Sequence, residues 1–359
     1  MNNGIVKYEP FWGEWYIEEL LGKDINSEVY KIYKSTNGKK EYAALKYISI
    51  SQVAVGNIKM YTDEEIKAIY EDKMNMLVNT IRQFMNLQDC ESIVRYKAFF
   101  KEQKAEENGY DIFIRMELVT PLKDYLKEKP LFKKDVIKFG FDIAEAIRSC
   151  NEKNLMHRGI SFDNIFVDEK GRFKLGDFIR SWAWREMGKA KPTEWYWYEA
   201  PEVLKHNPYR LNVDIYSLGI LMYMLLNDNR IPFLNPEGSI TSGDMDNALW
   251  LRASGTENMK PPKYADDKLS NIILRACCYD REIRYADANE FIADLTEYAE
   301  NATDLDKVVL PMEKSPNKEI HIPGQICIPD QPPTPPELLS RRTDNPIRTL
   351  LERIFHRQG

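Results

Sequence analysis

The chain is poor in the residues that build metal cages and covalent staples, with five cysteines and four histidines in 359 residues. Cys90, Cys150, Cys277, Cys278 and Cys327 show no zinc-type pairing, and the adjacent Cys277-Cys278 pair lies in an apolar helical pattern that reads as core. An unpaired set of this kind fits a reducing compartment. Long apolar runs are missing too. The longest, Ile215 to Leu226, falls far short of the ~20 residues needed to span a bilayer and reads as a buried helix. The opening Met1-Asn2-Asn3-Gly4 lacks the basic-then-apolar order of a signal segment, so the expected compartment is the cytoplasm. Charge of one sign does not accumulate, and a net charge of -6 gives no support for a nucleic acid partner. No internal repeat is visible.

What is present is a chain with 43% hydrophobic and 30% charged residues, enough for a substantial core in one large domain or two ordinary ones. From Trp15 to about Ile50 the pattern is strand-like, with Val29–Tyr33 and Tyr42–Ile48 flanking a Thr36-Asn37-Gly38 turn. Thr62 and Glu65 form a capping box for a long helix, whose apolar stripe is read as Ile66, Ile69, Met76, Leu77, Ile81, Phe84 and Met85. Strands are expected around Ser92–Phe100 and Tyr110–Leu118. Helices are expected over Leu131–Asn151, Val213–Leu226 and Ser270–Cys278. A small β-rich part followed by a larger helical part predicts an α+β fold. Past about Ala302, prolines from Pro311 to Pro336 argue against a compact continuation. Asn345 suits an N-cap and Pro346 a first helical position; Ile347, Leu350, Leu351, Ile354 and Phe355 then make one apolar face opposed by Arg348, Arg353 and Arg357. Such a helix docks on its own domain, on a protein partner or on a membrane surface.

One stretch carries chemistry. Met156-His157-Arg158-Gly159-Ile160-Ser161-Phe162-Asp163-Asn164, followed by Gly176-Asp177-Phe178, resembles the catalytic loop H-R-D-x-K-x-x-N and the D-F-G metal motif of protein kinases. The resemblance runs from about Trp15 to Ala302. Leu21-Gly22 through Val29 is similar to the glycine-rich loop, with Gly22 and Val29 the outright matches, and Ala43-Ala44-Leu45-Lys46 is similar to V-A-I-K. Ile114–Val119 resembles the strand leading into the hinge. Ala200-Pro201-Glu202 resembles A-P-E, and Asp214–Gly219 the D-x-x-S-x-G helix. The run Asn227–Phe233 looks most like bacterial Ser/Thr kinases of the eukaryotic-like type.

The resemblance implies a bilobal kinase fold: residues 1–119 an N-lobe, 120–302 a C-lobe, 303–344 a Pro-rich tail and 345–359 the amphipathic helix. It implies a site for ATP, with Lys46 toward the α- and β-phosphates and Val29 and Ala44 above the base. Phe166 would lie below the base, Met116 at its back, and the Glu117 and Val119 backbones at its edge. Asn164 and Asp177 would hold Mg. It implies that Arg284 pairs with Glu202.

The departures from the pattern are concentrated in the chemistry. Gly159 stands where the catalytic Asp belongs and Ser161 where the Lys belongs. Thr80 replaces the Glu that pairs with Lys46, leaving that lysine without its usual partner. Ile179 replaces the last Gly of D-F-G, and Trp195 a Thr of the activation segment. Asp24 and Ser27 replace glycines of the phosphate loop. The expected function is a pseudokinase that binds ATP and Mg, transfers phosphate poorly, and presents Trp195, Tyr196 and Trp197 to a protein partner. Nucleotide would order that segment if it bound the closed state preferentially. The alternatives are a slow Ser/Thr kinase, or other phosphate-group transferase, and a nucleotide-free interaction module.

Overall fold

The computed structural model describes residues 3–24, 27–51, 62–87, 89–104, 109–179, 196–235 and 237–310. The chain divides into two units, residues 1–321 and 322–359, and every described residue belongs to the first. Trp195, the prolines from Pro311 on, and the 345–359 helix lie outside the described residues.

A short helix α1 (Asn3–Val6) precedes β1 (Tyr16–Asp24), β2 (Ser27–Thr36), β3 (Lys39–Ser51), helix α2 (Asp63–Met85), β4 (Tyr96–Gln103) and β5 (Gly109–Met116). The five strands form one antiparallel sheet in the order β1-β2-β3-β5-β4. The turn between β2 and β3 is the predicted one: Asn37 (φ 52°) and Gly38 (φ 76°) both sit in the left-handed region, which matches the strand twist and favours these two residue types. The capping box at α2 is present, with Thr62 Oγ1 accepting from the Glu65 amide and the Glu65 carboxylate accepting from the Thr62 amide. Its buried face is Met74, Leu77, Val78, Ile81 and Phe84, while Met76 is exposed. Met74 and Val78 complete a three-and-four spacing with Leu77 and Ile81 that Met76 does not share.

The kinase resemblance begins only at about Trp15, yet residues before it, within the 1–119 stretch assigned to the N-lobe, are part of the core. Ile5, Phe11 and Trp15 bury against Tyr30, Ile32, Ala43, Leu45 and Phe113 on one face of the sheet. The Tyr8 hydroxyl donates to Asp111 Oδ2 at 2.9 Å, and the Tyr47 hydroxyl donates to Oδ1 at 3.0 Å. This face is therefore covered by the N-terminal segment.

The second half contains β6 (Thr120–Pro121), α3 (Leu122–Glu128), β7 (Leu131–Phe132), α4 (Lys133–Asn151), β8 (Ile165–Val167), β9 (Phe173–Leu175), α5 (Pro201–Leu204) and α6 (Val213–Leu225). Helices α7 (Ser242–Ser254), α8 (Asp267–Ala276), α9 (Ala288–Asn301) and strand β10 (Val308–Leu310) follow. Every residue of α6 is buried, so this apolar helix is the hub of the lobe rather than a membrane span. No helix among the described residues is long and apolar enough to cross a membrane. Cys277 packs in this core, where burial pushes its thiol up to about 12 and keeps it unreactive.

Residues 303–310, assigned to the tail by composition, pair with the helical lobe. Val308 faces Phe132 and Leu310 faces Leu131, and the Lys133 amide donates to Lys307 O at 2.9 Å. The buried Lys133 ammonium bridges Asp266 (3.0 Å) and Asp304 (2.7 Å). Burial alone would raise the Asp266 carboxyl, but hydrogen bonds from the Leu269 amide, the Tyr298 hydroxyl and Lys133 hold it at about 2 against an ordinary 3.8. A carboxyl lowered on folding stabilises the protein above its unfolded value and loses that contribution as pH falls from about 4 to 2. With the side chain 45% exposed, solvent screening brings the expected contribution down to about 1 kcal/mol. Urea unfolding of Asp266→Asn should therefore converge on wild type as pH approaches 2; curves that stay parallel from pH 5 to 2 would refute the assignment.

Candidate functional site

Strand register gathers the predicted residues on one face. Gly22 pairs with Val29, Val29 with Lys46, and Lys46 with Ile114; one step along, Ala44 pairs with Met116, and Met116 with Tyr96. Directly opposed residues share a face and alternate residues on a strand return to it. Val29, Ala44, Lys46 and Met116 thus stand together, on the side opposite the Tyr30, Ile32 and Leu45 core. Below Met116, the chain leads through Glu117 and the half-buried Val119 to β6, where Pro121 pairs with Phe166.

Glu117 is fixed on both sides. Its carboxylate accepts from the Arg95 amide (2.7 Å) and from the buried Lys174 ammonium (2.7 Å), while its own amide donates to Arg95 O (3.0 Å). Gly176, next to Asp177, has no room for a side chain: a Cβ there would come within 2.8 Å of Val94 Cγ2 and 2.9 Å of Phe166 Cε2. That close approach holds Phe166 against the segment carrying Asp177.

The Lys46 ammonium forms an ion pair with the Asp177 carboxylate. Lys46 therefore has a charge partner, contrary to the expectation from sequence. Thr80 turns its hydroxyl back to Met76 O of its own helix at 2.9 Å, and Asp177 supplies the missing negative charge. Asp177 adopts a left-handed backbone (φ 59°), as does Arg158 (φ 56°), a conformation costing non-glycine residues on the order of 1 kcal/mol that packing must offset. Nearby Tyr96 is buried; burial first, and the Asp177 charge second, push its phenol well above its ordinary value, so it stays neutral.

Asn164 is fully buried. Its Nδ2 donates to Gly159 O at 2.6 Å, and its Oδ1 is buried with no hydrogen-bond partner among the described residues. The loop before it hangs from α6, since Asp214 accepts from the amides of His157 (2.7 Å) and Arg158 (2.8 Å). His157 Nε2 meets Gly176 O at 2.9 Å, its ring packs edge-on against Phe178, and Phe178 stacks on Phe84 of α2 at 3.9 Å. A continuous column thus links α2, the Asp177 segment and the loop.

Residues 15–295, more than half of the chain, match the family model for the protein kinase domain. The chain belongs to the protein kinase family. It is 28% identical over 174 residues to serine/threonine-protein kinase shk2 of Schizosaccharomyces pombe, covering 48% of this chain and 28% of that protein. It is 27% identical over 240 residues to human NUAK family SNF1-like kinase 2 (65% of this chain, 35% of that one). It is 25% identical over 166 residues to the tyrosine-protein kinase receptor svh-2 of Caenorhabditis elegans (44% and 14%). The chain thus spans about a third or less of the length of these relatives.

Measured against the kinase pattern, the site is uneven. Position 159 offers no proton acceptor, and Ser161 is buried with its Oγ unpartnered among the described residues. Asp163, the acid beside Asn164, is paired with Lys123 of α3. Ile179 is buried. Of the three aromatics expected to meet a partner, Trp197 is only 4% exposed and Tyr196 half-buried. Sequence reading passed over Lys174 and Tyr96. A charged residue in an otherwise apolar three-residue strand, Phe173-Lys174-Leu175, was the available signal for the first.

Proposed function

We propose that this chain is a kinase-family domain that binds ATP with magnesium, is defective in phosphoryl transfer, and acts in the cytoplasm as a regulatory or scaffolding pseudokinase toward a protein partner. The run Asn227–Phe233 supports placing it with the bacterial Ser/Thr type. The observation that carries the reading is a contrast within a few residues. Lys46, Asp177 and the unpartnered Asn164 Oδ1 are kept, whereas Gly159 leaves no base.

The residues fit the metal. A buried amide oxygen with no partner among the described residues, on a segment whose Asn164 O accepts from the amide of Gly176 next to Asp177, belongs with that carboxylate to the hard-oxygen donors that Mg²⁺ prefers. When bound, the ion neutralises phosphate charge. The chain's own groups do the rest. Lys46 leaves Asp177 for the phosphates, while Val29, Ala44, Met116 and Phe166 enclose the base. Backbone groups of Glu117 and Val119 fix its edge, and the Lys174–Glu117 pair keeps that strand in place. Asp24 and Ser27 weaken the grip on phosphate. Buried Trp197 does not serve the partner surface, which leaves Tyr196, Trp195 and the 345–359 helix.

Thermal melting with ATP, with and without magnesium, tests this. Ligand at about 100 times its Kd stabilises by about 2.7 kcal/mol, a shift of a few degrees for a domain of this size. The expected result is a magnesium-dependent shift that disappears in both Lys46→Ala and Asp177→Ala. No shift at millimolar ATP would overturn the reading in favour of a nucleotide-free module. Phosphate incorporation that vanishes with Asp177→Ala would instead support slow transfer, which the intact anchoring of His157 and Arg158 on Asp214 favours as the second reading.

A further inference from the structure

The carbonyls of four consecutive residues, Tyr196 to Glu199, are all engaged by donors of the helical lobe. Arg252 of α7 supplies three of these contacts. Its guanidinium donates to Trp197 O and to Glu199 O (2.7 Å) and reaches Tyr196 O at 3.5 Å. Ser217 of α6 supplies the fourth, donating to Tyr198 O at 2.8 Å. Arg252 is 1% exposed, its Nε donates to the Tyr216 hydroxyl at 3.1 Å, and it has no acidic partner among the described residues.

A guanidinium buried among neutral carbonyls is a costly arrangement, tolerated only when its donors are satisfied together. Its rigid fork suits several carbonyls of one bent segment better than a lysine would. None of these donors belongs to the nucleotide site. We infer that Arg252 is a positioning residue that keeps Tyr196–Glu199 docked on the helical lobe whether or not nucleotide is bound. The surface around Tyr196 is then preset rather than switched, and the expectation that nucleotide orders the segment fails from Tyr196 onward. This inference stands independently of ATP binding.

Amide hydrogen exchange on the full chain tests it, read in the peptide covering 196–204 with and without ATP and magnesium. The expected result is the same protection in both states. Arg252→Met should speed exchange there at least tenfold without changing the β-sheet peptides, and Arg252→Lys should recover part of it. Protection of 196–204 that rises tenfold or more with ATP would overturn the inference, as would unchanged exchange in Arg252→Met. Should that variant fail to fold, Ser217→Ala and Arg252→Lys serve in its place. Faster local exchange in both supports the clamp, and wild-type exchange in both overturns it. The ATP melting shift, measured on the same samples, reports separately on the nucleotide site.

Discussion

Gly159→Asp combined with Ser161→Lys is expected to raise ATP turnover and self-phosphorylation by about 10²–10⁴, the usual worth of a positioned general base. The loop is already in place and only its side chains are missing. His157 and Arg158 hang from Asp214 and Asn164 Nδ2 holds Gly159 O, so the backbone that would carry the aspartate is anchored on both sides. Most of the gain should come from Gly159→Asp alone, because phosphoryl transfer otherwise rests on positioning and on groups this chain retains. Ser161→Lys should add less, since residue 161 is only 2% exposed and a lysine stem must find a path to the phosphates. Turnover rates measured for both singles and the double decide the matter. A double variant that binds nucleotide yet stays at the wild-type rate would mean that the defect lies in the phosphate loop, with Asp24 and Ser27.

The sequence made the fold legible wherever a residue type had only one physical use. The Asn37-Gly38 turn, the Thr62–Glu65 cap and the apolar run of α6 each announce their element. The Arg284–Glu202 pair and the loop from His157 to Asn164 were legible through motif order. What stayed hidden depends on partners distant in the chain. Lys46 was expected to be orphaned because Thr80 is not acidic, yet an ion pair needs only a nearby carboxylate, and Asp177 is one. Arg252 looks like any helical surface arginine until the backbone of 196–199 is laid against it. Trp197 resembled an interface aromatic because burial cannot be read from a run of three aromatics. The N-terminal Phe11 and Trp15 belong to the core because Ile32 and Leu45 need cover on the face away from the site, a demand visible only once the sheet is assembled.

The largest stability effect should come from Arg284→Met. Arg284 has no exposed side-chain surface and meets Glu202 through two parallel contacts, Nη1 to Oε1 at 2.8 Å and Nη2 to Oε2 at 3.2 Å, while also donating to Cys278 O. Glu202 keeps only 8% exposure. Truncating the arginine leaves a carboxylate that is neither solvated nor paired, which costs about 3–5 kcal/mol. For a domain of this size that is a fall in Tm on the order of 10 °C. Adding Glu202→Leu should return much of the loss, because the penalty belongs to the stranded charge rather than to the missing attraction. A loss below about 1 kcal/mol in the single variant, or a double variant no more stable than the single, would contradict this account. Glu202 lies in the first turn of α5, shortly after the residues that Arg252 grips, so the same substitution should also loosen Tyr196–Glu199. Hydrogen exchange there should quicken in Arg284→Met even at temperatures where the fold as a whole is intact, which ties the buried pair to the presented segment and not to stability alone.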